Sequence, residues 1–315
     1  FWQPEYRTDP PRDFELTPDE RELQKEYRLA LDQLYWRRLM IADVGLELFK
    51  QEYPMTPREA FISTGRPVFS LQPLQDRIEV VTAPRDLPTP SGYAPDYAPE
   101  RLGLSPTKKW EPDERGELLV WRRPKAGKLY TIGADVGMGV RNGDWSVAQV
   151  LDENKEQVAI WRGQIEPDAF GVVVSQLGYW YNTAFVVPES NNHGILTCHV
   201  LSKELHYPRL YTLVKHDKDS DRDTEFVGHY TDVRTKPLII DTLRGSLKAK
   251  ELTIHCQDTL SELMTYVFTE SGKMEAEKGC HDDCVMSLAL ANYGHQRRKP
   301  PVPVDDDFYD DEIDA

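Results

Sequence analysis

Between residues 118 and 162 the chain repeats one local pattern: short apolar, β-favouring runs separated by turn residues. The runs are Leu118–Arg122, Lys128–Ala134, Trp145–Leu151 and Gln157–Arg162, with Asp152, Glu153 and Asn154 between the last two. The spacing predicts that the last three are sequential antiparallel strands joined by short turns. A helical stripe comes next over Pro167–Asn182, where Phe170, Val173, Val174, Leu177 and Trp180 or Tyr181 share one face. Ala184–Val187 then reads as a short buried strand, His193–His206 as a helix and Leu210–Val214 as a strand. Three further helices are expected over Thr235–Leu247, capped by Thr235, over Gln257–Phe268, and over Asp282–Tyr293, ended by Gly294.

Three hairpin strands, a helix and then strand–helix–strand is the order of a mixed α/β layer sandwich. The ribonuclease-H-like fold has this order, so the expected class is a mixed sheet flanked by helices over residues 117–296. Upstream, residues 1–83 read as a helical or extended segment. Thr17-Pro18-Asp19-Glu20 is a capping box, and a second helix runs through Leu31–Arg38 and beyond. Residues 84–116 carry prolines at 84, 88, 90, 95, 99, 106 and 112, which predicts a linker or an extended wrap. Residues 297–315 form a basic, then acidic tail that is expected to be disordered.

Composition excludes some classes. No apolar run approaches the ~18–20 residues needed to span a bilayer, and no N-terminal segment has the pattern of a signal peptide. Phe1 in place of Met suggests a fragment or a trimmed product. The cysteines Cys198, Cys256, Cys280 and Cys284 lack C-x-x-C spacing and read as reduced thiols. The net charge of −15 argues against tight, unassisted, non-specific DNA binding. About half of that excess sits in the stretch Asp305–Ala315, which holds seven acids and no base.

The acids of the body fall at the ends of core elements. Asp135 ends the run Tyr130–Ala134 and is followed by Val-Gly-Met-Gly, which leaves room for a metal and a phosphate to approach. Glu189 ends the run before Ser190-Asn191-Asn192. Asp282 and Asp283 open the last helix, where capping and the helix dipole give them a structural use as well. Like charges gathered in one place raise each other's pKa unless a cation neutralises them. Hard oxygen ligands with open positions select Mg²⁺ or Mn²⁺, and two such ions can drive phosphodiester hydrolysis. Asp144, just before the second of the hairpin strands, and His281 are candidates to support that site.

These motifs resemble those of the large terminase subunit of tailed bacteriophages, a viral DNA-packaging motor. The resemblance rests on Asp135–Gly139, on Glu189-Ser190-Asn191-Asn192-His193-Gly194, on Gly228–Pro237 and on Gly279–Asp283. Upstream, Gln51-Glu52-Tyr53-Pro54, Glu59-Ala60-Phe61 and Gly65–Phe69 are similar to the region joining motor and nuclease. The resemblance implies a metal-dependent endonuclease that cuts concatemeric double-stranded DNA, with Asp135, Glu189 and Asp283 as its metal-binding core and Asp282 as a further ligand. It also implies partners: a capsid portal, a small terminase subunit and an ATPase motor in the parent chain, all in the cytoplasm of an infected bacterial host. The motor's phosphate loop, G-x-x-x-x-G-K-[ST], is not present in this sequence. The expectation is therefore a chain without phosphate-loop ATPase activity.

Backbone contacts to DNA come mainly from Lys, Arg and helix N-termini. Lys215, Arg234, Lys236, Arg244 and Lys248 are the candidates, along with the run Arg297-Arg298-Lys299. The charged stretch His216–Glu225 reads as an exposed loop bordering the cleft. Cys280, His281 and Cys284 supply only three ligands of a zinc site. The alternatives are a junction-resolvase- or transposase-like nuclease of the same fold and a non-catalytic assembly module. An actin-like ATPase would use the Asp-x-Gly turn at Asp135, but its second phosphate turn and adenosine loop are not visible.

Overall fold

The computed structural model describes residues 6–46, 49, 53, 66–82, 98–140, 143–217 and 222–298. The motor-joining motifs between 54 and 65, most of the Pro-rich stretch, and the tail from 299 lie outside the described residues. So do the side chain of Lys215 and the middle of the charged stretch at 218–221. The chain forms two compact units, Phe1–Arg66 and Pro67–Ala315.

In the first unit, α1 (Pro18–Tyr27) starts with the expected capping box. The Glu20 N–H donates to Thr17 Oγ1, and the Thr17 N–H donates to Glu20 Oε2. α2 (Leu31–Val44) returns against it, and Arg38 Nε donates to the buried Glu20 carboxylate at 2.9 Å. Tyr6, Trp36, Phe49 and Tyr53 stack into one aromatic cluster.

The second unit opens with α3 (Leu71–Thr82). The described part of the Pro-rich stretch starts at residue 98 and joins the main sheet. It contributes β1 (Glu100–Leu104) and β2 (Trp110–Pro112), followed by β3 (Leu118–Val120). β4 (Thr131–Asp135), β5 (Ser146–Leu151) and β6 (Gln157–Gly163) are the three antiparallel strands expected from the sequence. α4 (Pro167–Trp180) crosses over to β7 (Phe185–Pro188), which pairs parallel with β4. The seven-stranded mixed sheet runs β2-β1-β3-β6-β5-β4-β7, with β4 and β7 side by side as the ribonuclease-H-like order requires.

Residues 194–204 begin as α5 (Gly194–His199) and widen into a π-turn over Val200–Glu204. In the charged stretch His216–Glu225, expected as an exposed loop, the described residues are strand. β8 (Thr212–Asp217) and β9 (Arg222–Val227) pair antiparallel as a hairpin. α6 (Thr235–Lys248) comes next, capped not by Thr235 but by Asp232, whose Oδ1 accepts from the Arg234 and Thr235 N–H groups at 2.8 Å. The helix expected over Gln257–Phe268 stops early. It divides into α7 (Gln257–Met264) and β10 (Tyr266–Phe268), which pairs with β11 (Met274–Ala276). β-Branched and aromatic residues at 266–268 favour the strand over the helix. α8 (Asp283–His295) ends the described chain.

β4 is buried at every position. On one face the sheet packs against α4 through Phe170, Val174 and Leu177; α8 covers the other. Gly133 sets how close α8 comes. A Cβ there would lie well inside van der Waals distance of the Ser287 carbonyl oxygen and the Ala291 nitrogen. That backbone-on-backbone approach brings the first turn of α8 to the end of β4.

Candidate metal centre

Three elements end at one place. Asp135 is the last residue of β4, Glu189 directly follows β7, and Asp283 is the first residue of α8. Because β4 and β7 are parallel neighbours, the Glu189 N–H continues the ladder onto the Ala134 carbonyl oxygen at 2.8 Å. Parallel pairing puts the C-terminal ends of both strands on the same edge, where sites in open α/β sheets form. The result is a cleft of about 680 Å³, whose lining includes Asp135, Asp144, Glu189, Asp282 and Asp283. Gly137 keeps the loop after Asp135 low: its N–H donates to Ser146 Oγ, and a Cβ would strike the Asp144 carbonyl oxygen.

The electrostatics of this cluster are unfavourable without a cation. Asp135 is buried, and burial first, then the Glu189 carboxylate to which it is hydrogen-bonded, pushes its carboxyl far above the ordinary range. Asp283 is buried too. Desolvation, reinforced by Glu262, Asp144 and Asp282, pushes its carboxyl up to about 7, against a downward pull from the Trp145 backbone. Asp283 Oδ2 is buried and accepts no hydrogen bond; the nearest potential cation is the half-exposed His281 ring, with Nδ1 at 3.5 Å. A buried, unpaired carboxylate oxygen is costly unless something positive meets it.

Among the described residues, no three His, Cys, Asp or Glu side chains already surround a single metal position. Two of the acids point at each other and one at a cation: Asp135 is hydrogen-bonded to Glu189, and Asp282 lies 3.2 Å from the Lys236 ammonium. The donor set itself fits a hard divalent cation. It consists of carboxylate oxygens, one of them orphaned, in an open polar cleft.

Neighbouring side chains hold the acids in place. Asn191 Nδ2 donates to Glu189 Oε1 at 2.9 Å, while Asn191 Oδ1 accepts the Thr231 N–H at 2.8 Å. This ties Glu189 to the loop that leads into α6. His229 pairs with Glu189 through the backbone: the Ser190 N–H donates to the His229 carbonyl oxygen, and the His229 N–H to that of Pro188.

Of the basic candidates, Lys236 lines the cleft. Arg234 is exposed beside it, 3.7 Å from Asp232. Arg244 pairs with Asp241 on α6, and neither it nor Lys248 lines the cleft. Lys273, on the β10–β11 turn after Gly272, lines it and was missed by sequence reasoning. The Ser271-Gly272 dipeptide was its available signal, a turn mark shortly past the segment assigned to helix. Asp144 lines the cleft, and His281 borders Asp283. The three-ligand zinc grouping does not form: Cys284 is buried with Val147, Ile160 and Cys256, whereas Cys280 is exposed.

No known protein-family model matches the chain. It is similar to the crystal structure of the large terminase nuclease from thermophilic phage G20c with bound cobalt, at 24% identity and a TM-score of 0.45, covering 57% of this chain and 89% of that one. The same nuclease with bound magnesium matches at 25% identity and a TM-score of 0.43, covering 57% and 89%. The large terminase nuclease domain of Thermus phage P74-26 matches at 27% identity and a TM-score of 0.40, covering 57% and 86%. These three solved structures, among those to which this chain is similar, are large terminase nucleases.

Proposed function

We propose that the chain is the metal-dependent endonuclease of a viral genome-packaging terminase, cutting concatemeric double-stranded DNA in the infected host's cytoplasm. The observation that carries this reading is the convergence of Asp135, Glu189, Asp282 and Asp283 from three separate elements on one open cleft, with the buried Asp283 Oδ2 left without a hydrogen bond.

Asp135, Glu189 and Asp283 are the residues that would hold two Mg²⁺ or Mn²⁺ ions, with Asp282 as a further ligand. Bound there, such ions supply a nucleophilic water at neutral pH and charge to offset that on the leaving oxygen. The chain's own groups do the positioning. Asn191 fixes the Glu189 carboxylate through its 2.9 Å hydrogen bond. Lys236 and Lys273 face the same cleft and are suited to meet the phosphates on either side of the scissile bond. Gly137 and Gly139 let the loop after Asp135 pack against the Asp144 and Ile165 backbones, which fixes the wall of the cleft beside that acid. Asp144 and His281 stand next to the acids, where they can orient water. The sequence carries no phosphate loop, and the energy for DNA movement is assigned to a motor outside it, working with the capsid portal and the small subunit.

Incubating supercoiled plasmid with the protein and Mn²⁺ or Mg²⁺ tests the reading. Nicked and linear products that require the metal and vanish with Asp135→Ala support it; intact plasmid with a folded, metal-binding wild type opposes it.

A further inference from the structure

Asp282 occupies the N-cap position of α8, and aspartate is among the best N-cap residues, yet its side chain makes no capping hydrogen bond. An N-cap carboxylate accepts from the second and third helical N–H groups, which here belong to Cys284 and Val285. Both are already taken by a residue from another helix. Glu262, near the end of α7, accepts the Cys284 N–H at 2.7 Å and the Val285 N–H at 3.4 Å through Oε2. Glu262 is itself buried and held from behind. Its Oε1 lies 3.8 Å from Arg162, whose guanidinium stacks on Trp145 at 4.4 Å and pairs with Asp258 at 3.0 Å.

We infer that Glu262 is a positioning residue of the metal centre: by capping α8 from outside, it prevents Asp282 from capping its own helix and keeps the Asp282–Asp283 pair turned to the cleft. The inference rests on the metal-centre reading given above. Asp282, released from the helix end, is the partner of Lys236 and a lining residue of the cleft. Were Glu262 shortened, two buried amide donors would lose their acceptor. The nearest replacement in sequence is the Asp282 carboxylate, which can cap only by leaving the cleft. A buried amide left unsatisfied costs more than a partly exposed ion pair returns, so capping should win over the Lys236 contact. Glu262 touches no ligand oxygen; it acts through the backbone of the turn that carries them.

The test uses the full chain and Mn²⁺ alone, titrated by calorimetry, with amide hydrogen exchange at Cys284 and Val285 read alongside. Glu262→Ala is expected to weaken Mn²⁺ binding by roughly ten- to a hundredfold, the usual effect of removing a group that orients metal ligands. Glu262→Gln keeps the acceptor oxygen and is expected to stay within about threefold of wild type, because the cap and not the charge is what matters. Glu262→Asp keeps the charge beside Arg162 but withdraws the acceptor by one methylene. It should lose binding as alanine does, and it carries the test if the alanine variant does not fold. In the alanine variant the Cys284 amide should stay largely protected, now by the Asp282 carboxylate, and adding Asp282→Ala should expose it without restoring Mn²⁺ binding. Unchanged Mn²⁺ affinity in a folded Glu262→Ala protein overturns the inference and leaves a structural cap only. Equal losses in the alanine and glutamine variants also overturn it. A wild type that binds no Mn²⁺ overturns the metal-centre reading beneath it.

Discussion

The Glu189 N–H donates to the Ala134 carbonyl oxygen at 2.8 Å, so the parallel ladder of β4 and β7 continues one step past the strand and sets Glu189 beside Asp135. Main-chain geometry sets the two acids side by side, and burying Asp135 next to a second acid is a standing cost in the metal-free protein. Asp135→Asn should therefore stabilise the metal-free chain, by about 0.5–2 kcal/mol, while abolishing the rise in Tm that saturating Mn²⁺ produces in wild type. Thermal unfolding with EDTA and with Mn²⁺ measures both.

Metal-free stability should fall with rising pH. Burial, then the neighbouring acids, raise the Asp283 carboxyl to about 7, so the folded state binds more protons than the unfolded state from the ordinary carboxyl range up to that value. The contribution is whole at low pH and is lost as pH climbs through about 7. Asp135 is raised too and acts in the same direction. In EDTA, Asp283→Asn should flatten the decline in Tm between about pH 4 and 7. Saturating Mn²⁺ should flatten it in wild type, because the cation favours the ionised acids.

Asn191 joins Glu189 to the Thr231 backbone. Asn191→Ala should cost about 1 kcal/mol of stability for the lost hydrogen bonds and lower Mn²⁺ affinity by roughly tenfold. Asn191→Asp should do worse, since it replaces a donor to Glu189 with a third like charge. Urea unfolding and calorimetry separate the two effects.

How much of this was legible in the sequence depends on what set each feature. The strands β4 to β7 and α4 arise from runs that are apolar throughout or on one face, a signal local to each segment. The three acidic positions were legible because each sits at the end of such a run. The strand expected over Leu210–Val214 caught the start of β8, but its end and β9 were hidden because Lys215, Asp217, Arg222, Asp223 and Glu225 are charged. β10 was hidden because an apolar run of three continues the stripe of the helix before it. Glu262 gave no signal at all. Its partners are 22 and 23 residues away, and its role exists only once α7 packs beside the start of α8.

Gly133 is where β4 and α8 meet backbone to backbone. Gly133→Ala should force the helix off the sheet and cost about 3 kcal/mol or more, at the upper end of overpacking effects. A neighbouring control, Gly245→Ala on α6, meets nothing within 4 Å and should be neutral or stabilising by up to about 1 kcal/mol. Urea unfolding of both variants checks the contrast.

Lys236 lines the cleft, whereas Arg244 lies two turns further along α6 and pairs with Asp241. In DNA binding measured over a range of salt, Lys236→Ala should lower the slope of log K against log salt by about 0.9, the loss of one phosphate contact. Arg244→Ala should leave the slope unchanged.

The most direct test is the rate of supercoiled plasmid cleavage in Mn²⁺ by wild type, Asp135→Ala and Asp283→Ala, each shown to be folded by its thermal transition. The account predicts metal-dependent nicking and linearisation by wild type and a loss of at least about a hundredfold in both variants, the scale expected when a group that stabilises transition-state charge is removed. Cleavage that persists in the folded variants would contradict it.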